Sequence, residues 1–165
     1  MLKALAKATG LASRALLMVG AGGLVLMTAI IGWQVFGRYV LNSSPSWSEQ
    51  ASLTLMIWYV SLAAAAGVYE GFHIRIAFLE SIAPPVVRKS MRVAGTVVVG
   101  ACGLALAIWG GKLVAATWGH VIPTLGLPRG VAYLCLPISG ALIFLFAAEK
   151  ALEEIALENA SKDGP

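Results

Sequence analysis

Glu70, His73 and Arg75 stand in the stretch GVYEGFHIRI, directly after the uncharged run 50–69. Their types could serve proton transfer or binding, or they could mark where a helix leaves an apolar phase. The second histidine, His120, is far away in sequence, and the two are predicted on opposite faces of a bilayer, ~30 Å apart by its hydrocarbon thickness. They cannot ligate one haem together. Cys102 and Cys135 are predicted at depths differing by ~9 Å at ~1.5 Å per residue. A disulfide tolerates Cα atoms only up to ~7 Å apart, and there is no CxxC, so a quinone-linked disulfide-forming enzyme is disfavoured. No phosphate-cradling glycine loop, metal cluster or nucleophile with its base occurs. These residues point to no enzyme and call for no cofactor and no metal.

The elements that must position them are membrane helices. Hydrophobic residues make up 59% of the chain and charged ones 12%, about half the ~25% of a soluble domain. Crossing the hydrocarbon takes ~20 apolar residues in a helix, because an unpaired backbone polar group is costly in lipid. Four runs qualify, with helices predicted at about 16–36, 50–69, 92–116 and 131–149. The fold expected is an all-α integral membrane protein, one membrane domain over 1–165, with a short interfacial helix between helices two and three. That interfacial helix is read from HIRIAFLESI, which alternates polar and apolar residues and ends at Pro84-Pro85. Lys3, Lys7 and Arg14 before the first run imitate a secretory signal. The run is longer than a signal core and no small-x-small site follows, so an uncleaved anchor is expected.

Orientation follows from Lys and Arg. Lys3, Lys7, Arg14, Arg75, Arg88, Lys89, Arg92, Lys150 and Lys162 fall on one side, and Arg38, Lys112 and Arg129 on the other. Both termini and the middle connection are therefore predicted in the cytoplasm. The net charge of +4 is mostly this topology signal, and nucleic acid is not required.

Smaller features refine the picture. Ser46 followed three residues later by Glu49 reads as a capping box at the start of helix two. Tyr39, Trp47, Trp109 and Trp118 fall near predicted outer boundaries, where amphipathic rings settle, whereas Trp58 and Tyr59 lie mid-helix and should pack on another helix. Gly20, Gly22, Gly23, Gly95, Gly100, Gly103 and the run Ala63 to Gly67 would allow close approach within the bundle or against a partner. Pro137 should bend helix four in its outer third. Arg88, Lys89 and Arg92 form a basic face at head-group level that could hold an anionic lipid or only set topology. No ionisable residue lies deep in a predicted span, although substrate and ion paths usually need one.

Taken together, GRYVLNSSPSWSEQASLTLMIWYVSLAAAAGVYEGFHIRI and LGLPRGVAYLCLPISGALIFL resemble the small, DctQ-like membrane subunit of TRAP (tripartite ATP-independent periplasmic) transporters. The likeness covers roughly residues 14 to 148. It rests on Arg38-Tyr39, Asn42, Trp47-x-Glu49, His73-Ile74, Pro128, Tyr133 and Pro137, which it implies are structural or partner-interface positions. The chain departs from the pattern at Ala63, Glu70 and Ala77. The resemblance implies a bacterial inner-membrane subunit that does not transport alone. A periplasmic substrate-binding protein delivers an organic acid to a large membrane subunit, which moves it by a sodium-coupled elevator motion while the small subunit supports the static scaffold. The alternative is a membrane anchor of a haem- or quinone-linked oxidoreductase, which should show paired histidines at matched depth.

Overall fold

The computed structural model describes residues 2–43, 45–71 and 84–162. The expected interfacial helix lies outside the described residues, as do His73, Ile74 and Arg75. The elements are α1 (Leu2–Tyr39), α2 (Ser46–Glu70), α3 (Pro85–Thr117), β1 (Val121–Ile122), β2 (Leu127–Pro128), α4 (Arg129–Tyr133) and α5 (Cys135–Lys162). Among the described residues, four spans are long and apolar enough to cross a membrane: Thr9–Tyr39, Ser46–Glu70, Ser90–Thr117 and Arg129–Leu152. The chain is an all-α, four-span membrane protein.

The helices run further than their apolar cores. α1 has 38 residues, or ~57 Å at ~1.5 Å per residue, against ~30 Å of hydrocarbon. Lys, Arg, Glu, Ala and Leu all favour helix, so a charge ends the apolar run without ending the hydrogen-bond ladder. Other boundaries have local causes. α2 stops at Gly71, whose φ of 79° is left-handed and whose N–H donates to the Gly67 carbonyl. Pro84 and Pro85 open α3 as N-cap and first residue, where the missing N–H costs nothing. The expected capping box does not form. Pro45 occupies the N-cap, Ser46 is already inside the helix and no side chain caps it. Ser48, buried, instead donates from its hydroxyl to the Pro45 carbonyl at 2.7 Å.

Between α3 and α4 the chain forms a small antiparallel hairpin that sequence periodicity did not foretell, with Val121 opposite Pro128 and Ile122 opposite Leu127. Gly126 takes the left-handed turn position at φ 66°, and Arg129 N–H donates to the His120 carbonyl at 2.6 Å. The fourth span is broken at Leu134, three residues before Pro137, whose nitrogen cannot donate back into the preceding turn. The interruption falls in the outer third where a bend was expected.

The main contacts run in file: α1 on α2, α2 on α5, α5 on α3. α1 and α2 are antiparallel, since Gly10 meets Tyr69, Gly20 meets Tyr59 and Ala63, and Gly37 meets Ser43. α3 and α5 are also antiparallel, with Gly100 beside Ala147, Gly103 beside Ile143 and Gly110 beside Pro137. α2 runs parallel to the fourth span, with mid-helix Trp58 reaching Val131 of α4 and the Tyr69 and Phe146 rings, 5.3 Å apart, meeting further along. Most of the buried apolar residues lie on this central pair, among them Leu62, Ala65, Ala66 and Val68 of α2 and Cys135, Phe146 and Ala147 of α5. A file of helices covers little of itself. Only 6% of the most apolar window of α1 is buried, against 33% for the fourth span, so α1 is the outermost helix.

Candidate functional site

The outer end, as topology was predicted, gathers most of the residues singled out by sequence. Arg38 and Tyr39 lie in the last turn of α1, both exposed. Asn42 turns the chain toward α2 in the left-handed region, at φ 49°, which a short polar side chain tolerates better than most. Trp47 and Glu49 follow in the first turn of α2, also exposed, where Glu49 suits the positive end of the helix dipole. Pro128 closes β2 and serves as the N-cap of α4; Tyr133 ends α4. Pro137 packs in the α3 seam against Gly110. These residues come from both antiparallel pairs, with Tyr133 and Pro137 beside mid-α2 and Trp47 and Glu49 at its start. Trp58 joins the halves: its Nε1–H donates to the Val131 carbonyl at 3.2 Å, beside the break in the fourth span. Such breaks are tolerated in lipid when neighbouring helices satisfy the freed backbone groups. Tyr59 packs on Gly20 and Gly23, so both mid-helix aromatics reach another helix as their position required.

The opposite end holds a polar cluster that sequence reasoning missed. Thr9 Oγ1 donates to Glu149 Oε1 at 3.0 Å, tying α1 to α5. One turn on, Ser13, fully buried, donates to Glu70 Oε1 at 3.3 Å, tying α1 to α2. Lys150 Nζ donates to the Val68 carbonyl at 2.6 Å, placing a cation at the negative end of the α2 dipole. Glu149 was expected at the membrane edge. It is instead only 6% exposed, with Oε2 buried and lacking a hydrogen-bond partner among the described residues. The error came from ending helix four at the first charge. α5 continues to Lys162, so Glu149 stays on a packed helical face, one turn after Phe146. The available signal was the i, i+4 pair Thr9 and Ser13, two hydroxyls one turn apart on one face of α1.

At the start of α3, Arg92 is exposed, and residues 88 and 89 lie within the helix one turn before it. Cys102 is exposed and Cys135 buried, and both are free, as their predicted depths required. No group of three or more potential metal ligands occurs among the described residues. Among other hydroxyls inside the spans, Thr28 donates back to the Leu24 carbonyl and Thr54 to the Gln50 carbonyl of their own helices. The geometry offers helix-to-helix ties and an exposed aromatic and basic rim.

Residues 27–157 match the family of the DctQ component of tripartite ATP-independent periplasmic transporters. The chain belongs to this family. Its relatives include the C4-dicarboxylate TRAP transporter small permease protein DctQ of Vibrio cholerae, 31% identical over 59% of this chain and 39% of that protein. The sialic acid TRAP transporter small permease protein SiaQ of the same organism is 23% identical over 75% of this chain and 72% of its own. A Haemophilus influenzae protein, provisionally named as a TRAP transporter small permease, is 26% identical over 73% of this chain and 74% of its own. The match takes in the last three spans whole and the first from residue 27 on, so the DctQ assignment rests on more than one hairpin. It makes the chain a multi-pass TRAP small permease subunit, a transporter component, and displaces the oxidoreductase-anchor alternative.

Proposed function

We propose that this DctQ-family chain acts as an accessory frame for a large TRAP membrane subunit in the uptake of an organic acid brought by a periplasmic binding protein. The observation that carries this reading is the open file of helices. Both broad faces are left for lipid or partner, and no ionisable residue lies in the middle of any span to guide a charged substrate. An elevator working against a fixed frame benefits from extra anchored helices that resist tilting. The relatives' names, one for C4-dicarboxylates and one for sialic acid, support a carboxylate as the transported class. Sodium coupling, an inner-membrane location and cytoplasmic termini complete the reading, the last from the Lys and Arg distribution. Arg38, Tyr39, Asn42, Trp47, Glu49, His73, Ile74, Pro128, Tyr133 and Pro137 are its proposed partner-interface or structural positions.

The test is reconstitution. In liposomes under a sodium gradient the chain alone moves no organic acid, while the chain with its large subunit and binding protein does. Uptake by the pure chain sinks the accessory reading, and full uptake by the large subunit with this chain omitted sinks it equally. Orientation is checked separately with Ser43→Cys and Ser90→Cys in a background lacking Cys102 and Cys135. An impermeant maleimide labels the first and not the second in intact cells if the topology is right.

A further inference from the structure

The seam between α3 and α5 opens into a groove of about 340 Å³ lined by Val98, Val99, Cys102, Gly103, Leu106 and Ile143. This lies at the lower end of the ~300–1,000 Å³ usual for small-ligand sites. Its walls are apolar and it lies wholly within the membrane span Ser90–Thr117, so its occupant is apolar along that length. What lies below it on the same helix face is informative. Counting back from Leu106 in alternating steps of four and three gives Cys102, Val99, Gly95, Arg92 and Arg88, a single stripe along α3. The stripe starts at two arginines, crosses a glycine and runs into the groove. A Cβ added at Gly95 would meet nothing within 4 Å, so the path from arginine to groove is open.

We propose that this stripe seats one anionic glycerophospholipid, with its phosphate at Arg92 and one acyl chain laid past Gly95 along Val99 and Cys102. The dimensions agree. Ten residues separate Arg92 from Cys102, ~15 Å along the axis, which is the depth of one leaflet of a ~30 Å core. α3 carries no Asp or Glu over Pro85–Thr117, while Arg88, Lys89 and Arg92 cluster at its start. The antiparallel register brings Glu153, Glu154 and Glu158 of α5 to the levels of these three cations, so the preference for an anion rests on the arginine grip and not on net charge. Arginine can hold a phosphate oxygen in a bidentate grip while still serving a second acceptor, since it has five donors. Bulk lipid would wet this face in any case; the groove and the arginines together select a negative head group and hold one chain. The inference needs only that the chain lies in a bilayer and is independent of the transport reading.

The experiment uses the full chain in mild detergent, offered phosphatidylglycerol or phosphatidylcholine of identical acyl chains, with retained lipid counted by native mass spectrometry. The chain keeps one phosphatidylglycerol about tenfold more strongly than phosphatidylcholine, the scale of one charge-assisted contact. Arg92→Gln removes that preference, and Gly95→Leu weakens retention of both lipids while leaving thermal unfolding unchanged. Equal retention of the two lipids by the native chain overturns the proposal, as does an unaltered preference in Arg92→Gln or unaltered retention in Gly95→Leu. A helix of the large subunit is the competing occupant. If Cys102, the exposed one of the two cysteines, cross-links to that subunit in native membranes, the groove is filled by protein and the lipid seat is wrong.

Discussion

The two antiparallel helix pairs solve the same packing problem in different ways. In α3 and α5 the backbones themselves touch. A Cβ placed on Gly140 would stand 2.5 Å from the Ala107 nitrogen and 2.7 Å from the Gly103 oxygen, and one on Gly103 would stand 2.8 Å from the Phe144 nitrogen. Along α1 and α2 the approach is wider, to side chains and one backbone oxygen. Cβ positions on Gly20 and Gly23 lie 3.1 to 3.8 Å from Tyr59 and Ala63, and Gly22 faces open space. The first pair is held along its length by close contact between surfaces that have no side chain to yield. The second is a looser seam tied near one end by Ser13 to Glu70, with Thr9 to Glu149 anchoring α1 to α5 beside it. In lipid there is little hydrophobic force between helices, so dispersion and hydrogen bonds must supply the association. One pair relies on the first, the other more on the second.

The sharpest way to break this contrast is Gly140→Ala. The added methyl collides with backbone, and a helix can relieve that only by moving apart, so the loss is about 3 kcal/mol or more, at the top of the overpacking range. Thermal unfolding in detergent and the yield of complex with the large subunit both fall. A tolerated alanine would mean that α3 and α5 are not in backbone contact. Next in size is Glu149→Ala, which strips the acceptor from Thr9 and empties a buried site, costing about 2 kcal/mol. Because the tie belongs to α1, protease sensitivity should rise at the N-terminal part of α1 before the α3–α5 pair loosens. Simultaneous loss of both pairs would show that the cluster supports the whole file.

Ser13→Ala removes one hydrogen bond to an exposed partner and is expected to cost about 1 kcal/mol or less. Combined with Glu149→Ala it should be close to additive, since the two ties use different acceptors; a coupling above about 0.5 kcal/mol would make them one network. The smallest effect is expected at Gly22→Ala. Nothing lies within 4 Å of the new methyl, and alanine is the better helix former by about 1 kcal/mol, so stability is unchanged or slightly raised. A marked loss there, measured in the assembled complex, would show that this face of α1 packs on a partner.

Four charge-free runs, Lys and Arg asymmetry and a scattering of family-like residues made the number of spans and the transporter family readable from the amino-acid order alone. That is because lipid imposes a composition on every residue of a span, whatever it packs against. The expected roles of mid-helix Trp58 and Tyr59 and the separation of Cys102 from Cys135 were readable for the same reason: depth follows from counting residues. Neighbours do not follow from such a count. Only the tertiary structure decided that the helices stand in the order α1, α2, α5, α3, that Gly103 and Gly140 meet while Gly22 and Gly95 meet nothing, and that Pro45 rather than Ser46 is the N-cap of α2. It also decided that Glu149 is buried against Thr9. Glycine reads alike in sequence whether it faces a backbone, a tyrosine or lipid, and a charge near a span's end reads alike whether its helix stops or continues. Which of these holds is set by helix rotation and by partners tens of residues away, and no local pattern encodes either.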